Sequence, residues 1–596
     1  MFLFDFFRSF LPLHNPIGFG AADFLELAVA VLLVWLAIAW RAGLERYGRL
    51  LAGKAVWSMC ALAVLPVVLR LLLLGNCPVP TPAGPDDFSH LLVADTLRHF
   101  RLANPTHALY PFFETFFVLQ QPTYSSIFPI GQGLALAIGW LLFGHPWAGV
   151  VLSVAALCAL CYWMLRAWVS PGWALVGGLL ALAEFGPLTY WMNSYWGGAV
   201  SAVAGCLVFG ALPRLRDQGR PRDAVLLGLG LGLQLLARPF ESILLLLAVV
   251  LFLLPGWRPF LRTLPTVVLA VLPAVGLTLL HNRQVTGSWT TLPYSVSRYQ
   301  YGVPAAFTFE SNPVPHRELT PQQQLHYEVQ AAVHGTEAET PGRYLARLGD
   351  RMRFYRFFLL APLYLALPAF FTTLREPRFL RVMAVLLLFA LGANFYPYFY
   401  PHYLAAVACL FVLASVVSLD RLSRWCVRGQ PVGQEAARWI LFLCAAHFVF
   451  WYALHASGNR DFALAMRRYE TWAAVPHGDP DGRIAVARRL QQAPGQQLVF
   501  VRYGPRHAFQ EWVRNAAEID AAPVVWARDR GPAENEKLRR YYPRRTAWLL
   551  EPDAKPLRLT PYVPPAPEPE KPPVRSEPLP QPKPFPPGVN PFEPVR

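Results

Sequence analysis

Residues 84–133 read GPDDFSHLLVADTLRHFRLANPTHALYPFFETFFVLQQPTYSSIFPIGQG, a stretch that opens on two adjacent carboxylates, Asp86 and Asp87, and is dense in aromatic side chains. It lies between two apolar runs, 55–75 and 146–166. A helix needs ~20 apolar residues to cross a bilayer, and both runs meet that length. Outward from this stretch the same ruler marks roughly twelve spans: 21–40, 55–75, 146–166, 172–186, 197–213, 224–238, 241–256, 263–281, 355–373, 379–395, 402–420 and 439–456. The expected fold class is therefore mainly α, a polytopic transmembrane helical bundle.

Composition agrees. The 596 residues are 54% hydrophobic and 15% charged, with mean hydropathy +0.32, more apolar surface than one soluble core can hide. The net charge of +16 would suit nucleic acid only if it lay on one soluble face. Instead the arginines fall in short clusters between apolar runs, the pattern of cytoplasmic loops and anionic headgroups. No nucleic-acid partner is expected, and membrane lipids are. Of eight cysteines, Cys60, Cys158, Cys161, Cys206, Cys409 and Cys444 fall inside apolar segments as small hydrophobes.

The basic clusters fix the expected orientation. Arg41, Arg46, Arg49 and Lys54 follow the first span, and Arg214, Arg216, Arg220 and Arg222 the fifth. Those loops read as cytoplasmic, and the clusters at Arg258 and Arg262, at Arg375, Arg378 and Arg381, and at Arg421, Arg424 and Arg428 alternate consistently with them. The outer side then receives 76–128, 188–197, 282–354, 396–401 and everything after about residue 457. Stretch 129–143 breaks the alternation if counted as a span and reads as a helix lying at the interface. The expected division is a transmembrane region 1–456 with external loops 76–128 and 282–354, then a small external α/β domain at 457–553. Strands are expected there at 498–503, 524–527 and 546–550. A proline-rich tail at 554–596 has almost no core-forming residues and is expected to be disordered.

Asp86 and Asp87 stand where the chain leaves the bilayer. A carboxylate there meets a lipid headgroup and a water-side acceptor together, and partial burial raises its proton affinity toward that of a useful base. The competing structural reading is that Pro85, Asp86 and Asp87 cap the helix beginning near Phe88. The two roles are compatible for adjacent carboxylates.

An acidic pair opening the first large external loop, then a helix, then an aromatic, proline-rich stretch leading into an interfacial helix, resembles the GT-C class of integral-membrane glycosyltransferases. More narrowly it resembles bacterial relatives of the protein mannosyltransferase and lipid A aminoarabinose transferase group. The resemblance covers the membrane region broadly on a short specific motif. It implies an inverting enzyme of a bacterial inner membrane with its site facing the periplasm. The enzyme would move a sugar from a polyprenyl-phosphate carrier to a hydroxyl or amine of a lipid, glycan or protein acceptor. It implies Asp86 as catalytic base, with Asp87 standing where Glu is usual. The relatives commonly carry a Lys-Pro-Pro element before the interfacial helix, whereas this chain reads Ser126-Ile127-Phe128-Pro129-Ile130. The contact to the donor phosphate must then come from another cation.

Three cations are candidates: Arg238 in ARPFES (237–242), Arg283 in HNRQVTGSWTTLPY (281–294) and His402 in FYPYFYPHY (395–403). Arg238 ends a span, where an ionisable residue is costly and points to function, although snorkelling or pairing with Glu241 also accounts for it. Arg283 could equally anchor its helix, and His402 bond a neighbouring one. Glu114 and Gln121 offer acceptors for sugar hydroxyls, and solvated loop residues explain them as well. Tyr195, with Tyr190, Trp191 and Trp196, is expected in an interfacial aromatic belt, with sugar stacking as the alternative. No cofactor is indicated, and no ligand set supports a divalent metal. A transporter or flippase of lipid-linked precursors is the rival class. It should show paired broken helices in two related halves, a symmetry the sequence does not display.

Overall fold

The computed structural model describes residues 21–563 apart from 254–256, 336–337, 459–474, 476–477, 480, 506 and 508. Of the expected tail 554–596, residues 564–596 lie outside them. Among the described residues six helices are long and apolar enough to cross a membrane: Ala55–Leu72, Trp147–Leu165, Ala199–Gln218, Phe260–Thr286, Pro401–Ser423 and Val432–Ser457. Shorter apolar helices cover Leu27–Ala39, Ile130–Phe143, Pro171–Phe185 and Pro239–Leu253. The chain is a multi-pass membrane protein, and the twelve expected spans resolve into this mixture of long and short helices. Their outer faces are apolar, with Trp35, Trp57 and Leu269 each about two-thirds exposed, as suits a lipid solvent.

Two segments depart from expectation. The expected span 355–373 is broken into 3-10 segments Met352–Phe358 and Ala361–Leu365 and a single turn Pro368–Phe371. Pro362 and Pro368 remove backbone donors in the middle of the run, so hydropathy alone overstates it. The expected loop after the first span is instead a helix, Arg41–Gly53, whose Leu and Arg residues are good helix formers. Helix Ile130–Phe143 has 14 residues, a rise of roughly 21 Å against a hydrocarbon core of ~30 Å. It packs on helices Pro85–Arg98, Trp147–Leu165 and Pro221–Ala237.

The segments that the charge pattern groups on one side meet at one end of the bundle. Tyr195 N–H donates to Asp87 (2.9 Å), Gln300 Nε2 to the Gln121 carbonyl (2.9 Å), and the Tyr190 hydroxyl lies 3.2 Å from His402 Nδ1. Arg70, at the end of helix Ala55–Leu72, anchors the start of this region. Its Nε donates to Asn193 Oδ1 (2.8 Å), and its two Nη groups to the Cys77 and Pro78 carbonyls (3.0 and 2.9 Å).

Within the acidic loop, β1 (Val118–Leu119) and β2 (Ser125–Ser126) pair antiparallel. The C-terminal domain is a four-stranded sheet of β3 (Gln497–Val501), β4 (Val524–Arg528), β5 (Thr546–Glu551) and β6 (Arg558–Pro561) in the order β4-β3-β5-β6. β3 runs parallel to β4 and β5, and β6 is antiparallel to β5. β6 lies in the segment expected to belong to the tail. The central strand QLVFV is buried along its whole length, as a strand covered on both faces must be. Leu498 and Phe500 pack on Phe112 and Phe113 of the acidic loop, while Val499 and Val501 pack on Val486, Leu490 and Trp512. One face of the sheet thus shares its core with the loop that carries the acids.

Candidate active site

Helix Pro85–Arg98 starts with Pro at its first position and two acids in its first turn, where a fixed φ and negative charge both favour an N-terminus. The two neighbours have different surroundings. Asp87 is buried and saturated: Oδ1 accepts the Tyr195 N–H (2.9 Å), and Oδ2 the Ala83 and Gly84 N–H groups (both 3.3 Å). Burial raises its proton affinity, and these N–H groups and Arg483 oppose that rise. Asp86 is half-buried and meets no partner among the described residues beyond its own backbone N–H. Its pKa is pushed up to about 7, first by burial and then by the Asp87 charge, against the pull of its own N–H and of Arg238. Asp87 therefore performs the capping role, and Asp86 is left poised to take or hold a proton.

Arg238 caps helix Pro221–Ala237, its N–H bonded to the Gln234 carbonyl (2.7 Å), and Pro239 starts the next helix. Its guanidinium pairs with Glu241 at 3.0 Å and lies 5.0 Å from the centre of the Tyr403 ring. The expected pairing with Glu241 is thus present, yet the cation's influence extends further, to Asp86, His90, Tyr294 and His402. His402 is buried. Its ring contacts Trp196 edge-on (5.0 Å) and stacks on Tyr400 (5.5 Å), and the Arg238 charge acts on it as it does on Asp86.

Glycines make this possible. A side chain at Gly131 would put a carbon 2.7 Å from the Ala237 backbone nitrogen, and one at Gly133 would collide with Val93. Helix Ile130–Phe143 can therefore touch both the helix bearing Asp86 and the segment leading to Arg238.

His90 also feels the Arg238 charge and is not among the residues the sequence analysis singles out. It follows Asp86 by one helical turn, stacks on Phe128 (centroids 4.5 Å apart, planes at 19°), and its buried Nδ1 has no hydrogen-bond partner. Burial and the Arg238 charge hold its pKa down to about 3, so the imidazole is neutral. The available signal was the i, i+4 spacing from Asp86.

Other expected residues are occupied elsewhere. Arg283 is exposed and its guanidinium donates to the Gly287 carbonyl of the following turn, apart from the charges that act on Asp86. Glu114 is buried, with its oxygens bonded to Arg317 (2.6 Å) and Gln323 (2.7 Å), so it holds the two long loops together. Gln121 contributes its carbonyl to Gln300. Tyr195 is buried, its hydroxyl donating to the Pro80 carbonyl (2.9 Å). The belt expectation fails for Tyr195 and for Trp191, which is fully buried and stacked on Phe185 (5.0 Å). The polar Asn193 and Thr189 near them donate to backbone carbonyls of the same segment. Among the described residues no group of three or more His, Cys, Asp or Glu side chains could hold a metal ion.

No protein-family model and no curated protein sequence matches the chain. Among solved structures it is similar to ArnT from Cupriavidus metallidurans in the apo state, at 12% identity, covering 82% of this chain and 92% of that one, with a TM-score of 0.47. It is similar to the same protein bound to undecaprenyl phosphate at 11% identity, the same coverage and a TM-score of 0.47. It is also similar to the oligosaccharyltransferase AglB from Archaeoglobus fulgidus, in complex with an inhibitory peptide and a dolichol-phosphate. That match has 13% identity, 83% and 69% coverage, and a TM-score of 0.38.

Proposed function

We propose that the chain is an inverting GT-C glycosyltransferase, moving a sugar from a polyprenyl-phosphate carrier to an acceptor hydroxyl or amine on the periplasmic side of a bacterial inner membrane. The observation that carries this reading is the half-buried Asp86 carboxyl, without a side-chain partner among the described residues and within reach of the Arg238 charge. Asp86 removes the acceptor's proton as that oxygen or nitrogen attacks the anomeric carbon. The bond from that carbon to the carrier phosphate breaks, and the electron pair leaves with the polyprenyl phosphate. Arg238 faces the charge that grows on the phosphate and supplies the cation that the missing Lys-Pro-Pro element would otherwise provide. Neutral His90, with a free ring nitrogen, is suited to a hydroxyl or phosphate oxygen and adds no competing charge.

A general base contributes typically 10²–10⁴-fold. Purified protein in lipid nanodiscs, offered a panel of radiolabelled polyprenyl-phosphate sugars and a membrane extract as acceptor, should transfer one of them. Asp86→Asn should lose at least roughly a hundredfold of that rate. If no member of the panel is transferred while the protein moves lipid-linked sugar across the bilayer intact, the rival transporter class replaces this reading.

A further inference from the structure

Two arginines of the C-terminal domain reach the turn that presents the acids. Arg483, the first residue of helix Arg483–Gln492, is 1% exposed. Its guanidinium lies 4.2 Å from the centre of the Trp512 ring and 5.6 Å from that of Phe88, the residue after Asp87. Arg514 lies 5.2 Å from the centre of the same Phe88 ring. Arg483 Nη2 is 3.5 Å from the Ala83 carbonyl and Arg514 Nη1 is 3.5 Å from the Pro82 carbonyl. Arg483 Nε and Nη1 are buried without hydrogen-bond partners, an arrangement too costly for packing alone. The groups whose charge favours this cation are, largest first, Asp481, Tyr503, Glu511 and Asp87.

We infer that Arg483 is a positioning residue of the transfer site: with Arg514 it clamps the turn 82–88 and holds Asp87 as the anion that three backbone N–H groups grip, fixing where Asp86 points. The C-terminal domain is then part of the active site. The inference rests on the sugar-transfer reading for its purpose and on the packing for its existence.

The groups around Asp87 set the sign. On its own helix the adjacent Asp86 carboxyl feels the Asp87 charge, and the Tyr195 hydroxyl on the neighbouring segment is turned to Pro80. From the C-terminal domain Arg483 favours the anion, with its charge shared among Asp481, Tyr503 and Glu511. Arg514 acts on Tyr195. Removing the Arg483 charge therefore makes Asp87 easier to protonate.

The test is an infrared titration of the protonated-carboxyl band of the whole protein in nanodiscs, assigned by its loss in Asp87→Asn. In Arg483→Gln the Asp87 band should persist to higher pH than in wild type, and Arg483→Lys, which keeps the charge, should restore it. Transfer by Arg483→Gln should fall about tenfold or more in kcat at pH 7 with donor KM changed less than about twofold, the signature of a lost transition-state arrangement. A folded Arg483→Gln whose Asp87 band titrates as in wild type overturns the inference. Should that variant not fold, Arg514→Gln, which removes the other guanidinium at Phe88 and the Pro82 carbonyl, must raise the band in the same direction, and an unmoved band overturns the inference equally. A displaced band in a protein that transfers no sugar of the panel would keep the clamp and discard the sugar-transfer reading.

Discussion

Asp86 and Asp87 are chemically alike and adjacent, and the difference between them is entirely in what surrounds each. Three N–H groups hold Asp87, so Asp87→Asn should damage the turn and its stability, whereas Asp86→Asn should damage catalysis and leave the fold intact. The latter variant should in fact be more stable above pH 7. A carboxyl whose pKa rises from 3.8 unfolded to about 7 folded binds more protons in the folded state, so its ionisation cost grows as pH rises from about 4 to 7 and is full above 7. Asp86→Asn removes that cost, and thermal melts should show an advantage at pH 8 that shrinks toward pH 4. Arg238→Gln should weaken transfer and also strand the buried Glu241, a loss of about 3–5 kcal/mol when a buried pair is broken from one side. The double variant Arg238→Gln with Glu241→Gln should recover the melting temperature without recovering transfer. At this scale the acidic pair and Arg238 were legible, because charge at the end of an apolar run is conspicuous. Arg283 looked equivalent in the sequence. Its turn at Gly287 folds the guanidinium back onto its own carbonyl, which spacing does not reveal.

Helix Ile130–Phe143 joins the helix bearing Asp86 to the segment leading to Arg238 through Gly133 and Gly131, where Val93 and backbone leave no room for a side chain. Gly133→Leu should force that helix away from the one carrying Asp86, costing about 1–3 kcal/mol from overpacking. A 1 Å displacement of reacting groups lowers rates roughly a hundredfold, so transfer should fall much further than stability, as paired melting and rate measurements would show. Hydropathy located most helices of the bundle because lipid-facing runs such as 55–72 and 432–457 are apolar around most of their circumference. It failed at 355–373, where Pro362 and Pro368 interrupt a run whose composition is still apolar. It also could not see that the 14-residue helix owes its position to glycines, since a glycine in an apolar run carries no sign of what will touch it.

The whole molecule is organised around one end of the bundle, where the acidic loop shares one core with the C-terminal sheet and another with the 282–354 loop. Asp95, on the same helix as Asp86, accepts the Ala517 N–H at 2.7 Å, and Tyr124 donates to the Asn515 carbonyl at 3.0 Å. Asp95→Ala should loosen the domain by about 1–3 kcal/mol, the cost of an orphaned buried donor, and limited proteolysis should release the C-terminal domain faster than from wild type. The sequence marked that domain's three parallel strands by their β-branched and aromatic runs. It did not reveal β6, whose RLTP opens a proline-rich stretch, nor the docking, which joins residues some 400 positions apart through backbone carbonyls.

The central claim is that Asp86 accepts a proton during sugar transfer, and the pH dependence of kcat/KM tests it most directly. Wild type should lose activity as pH falls, with an acidic limb near pH 7 where the Asp86 carboxyl becomes protonated, and Asp86→Asn should show only a low residual rate without that limb. A folded Asp86→Asn that transfers sugar at the wild-type rate and keeps the same acidic limb would contradict the account.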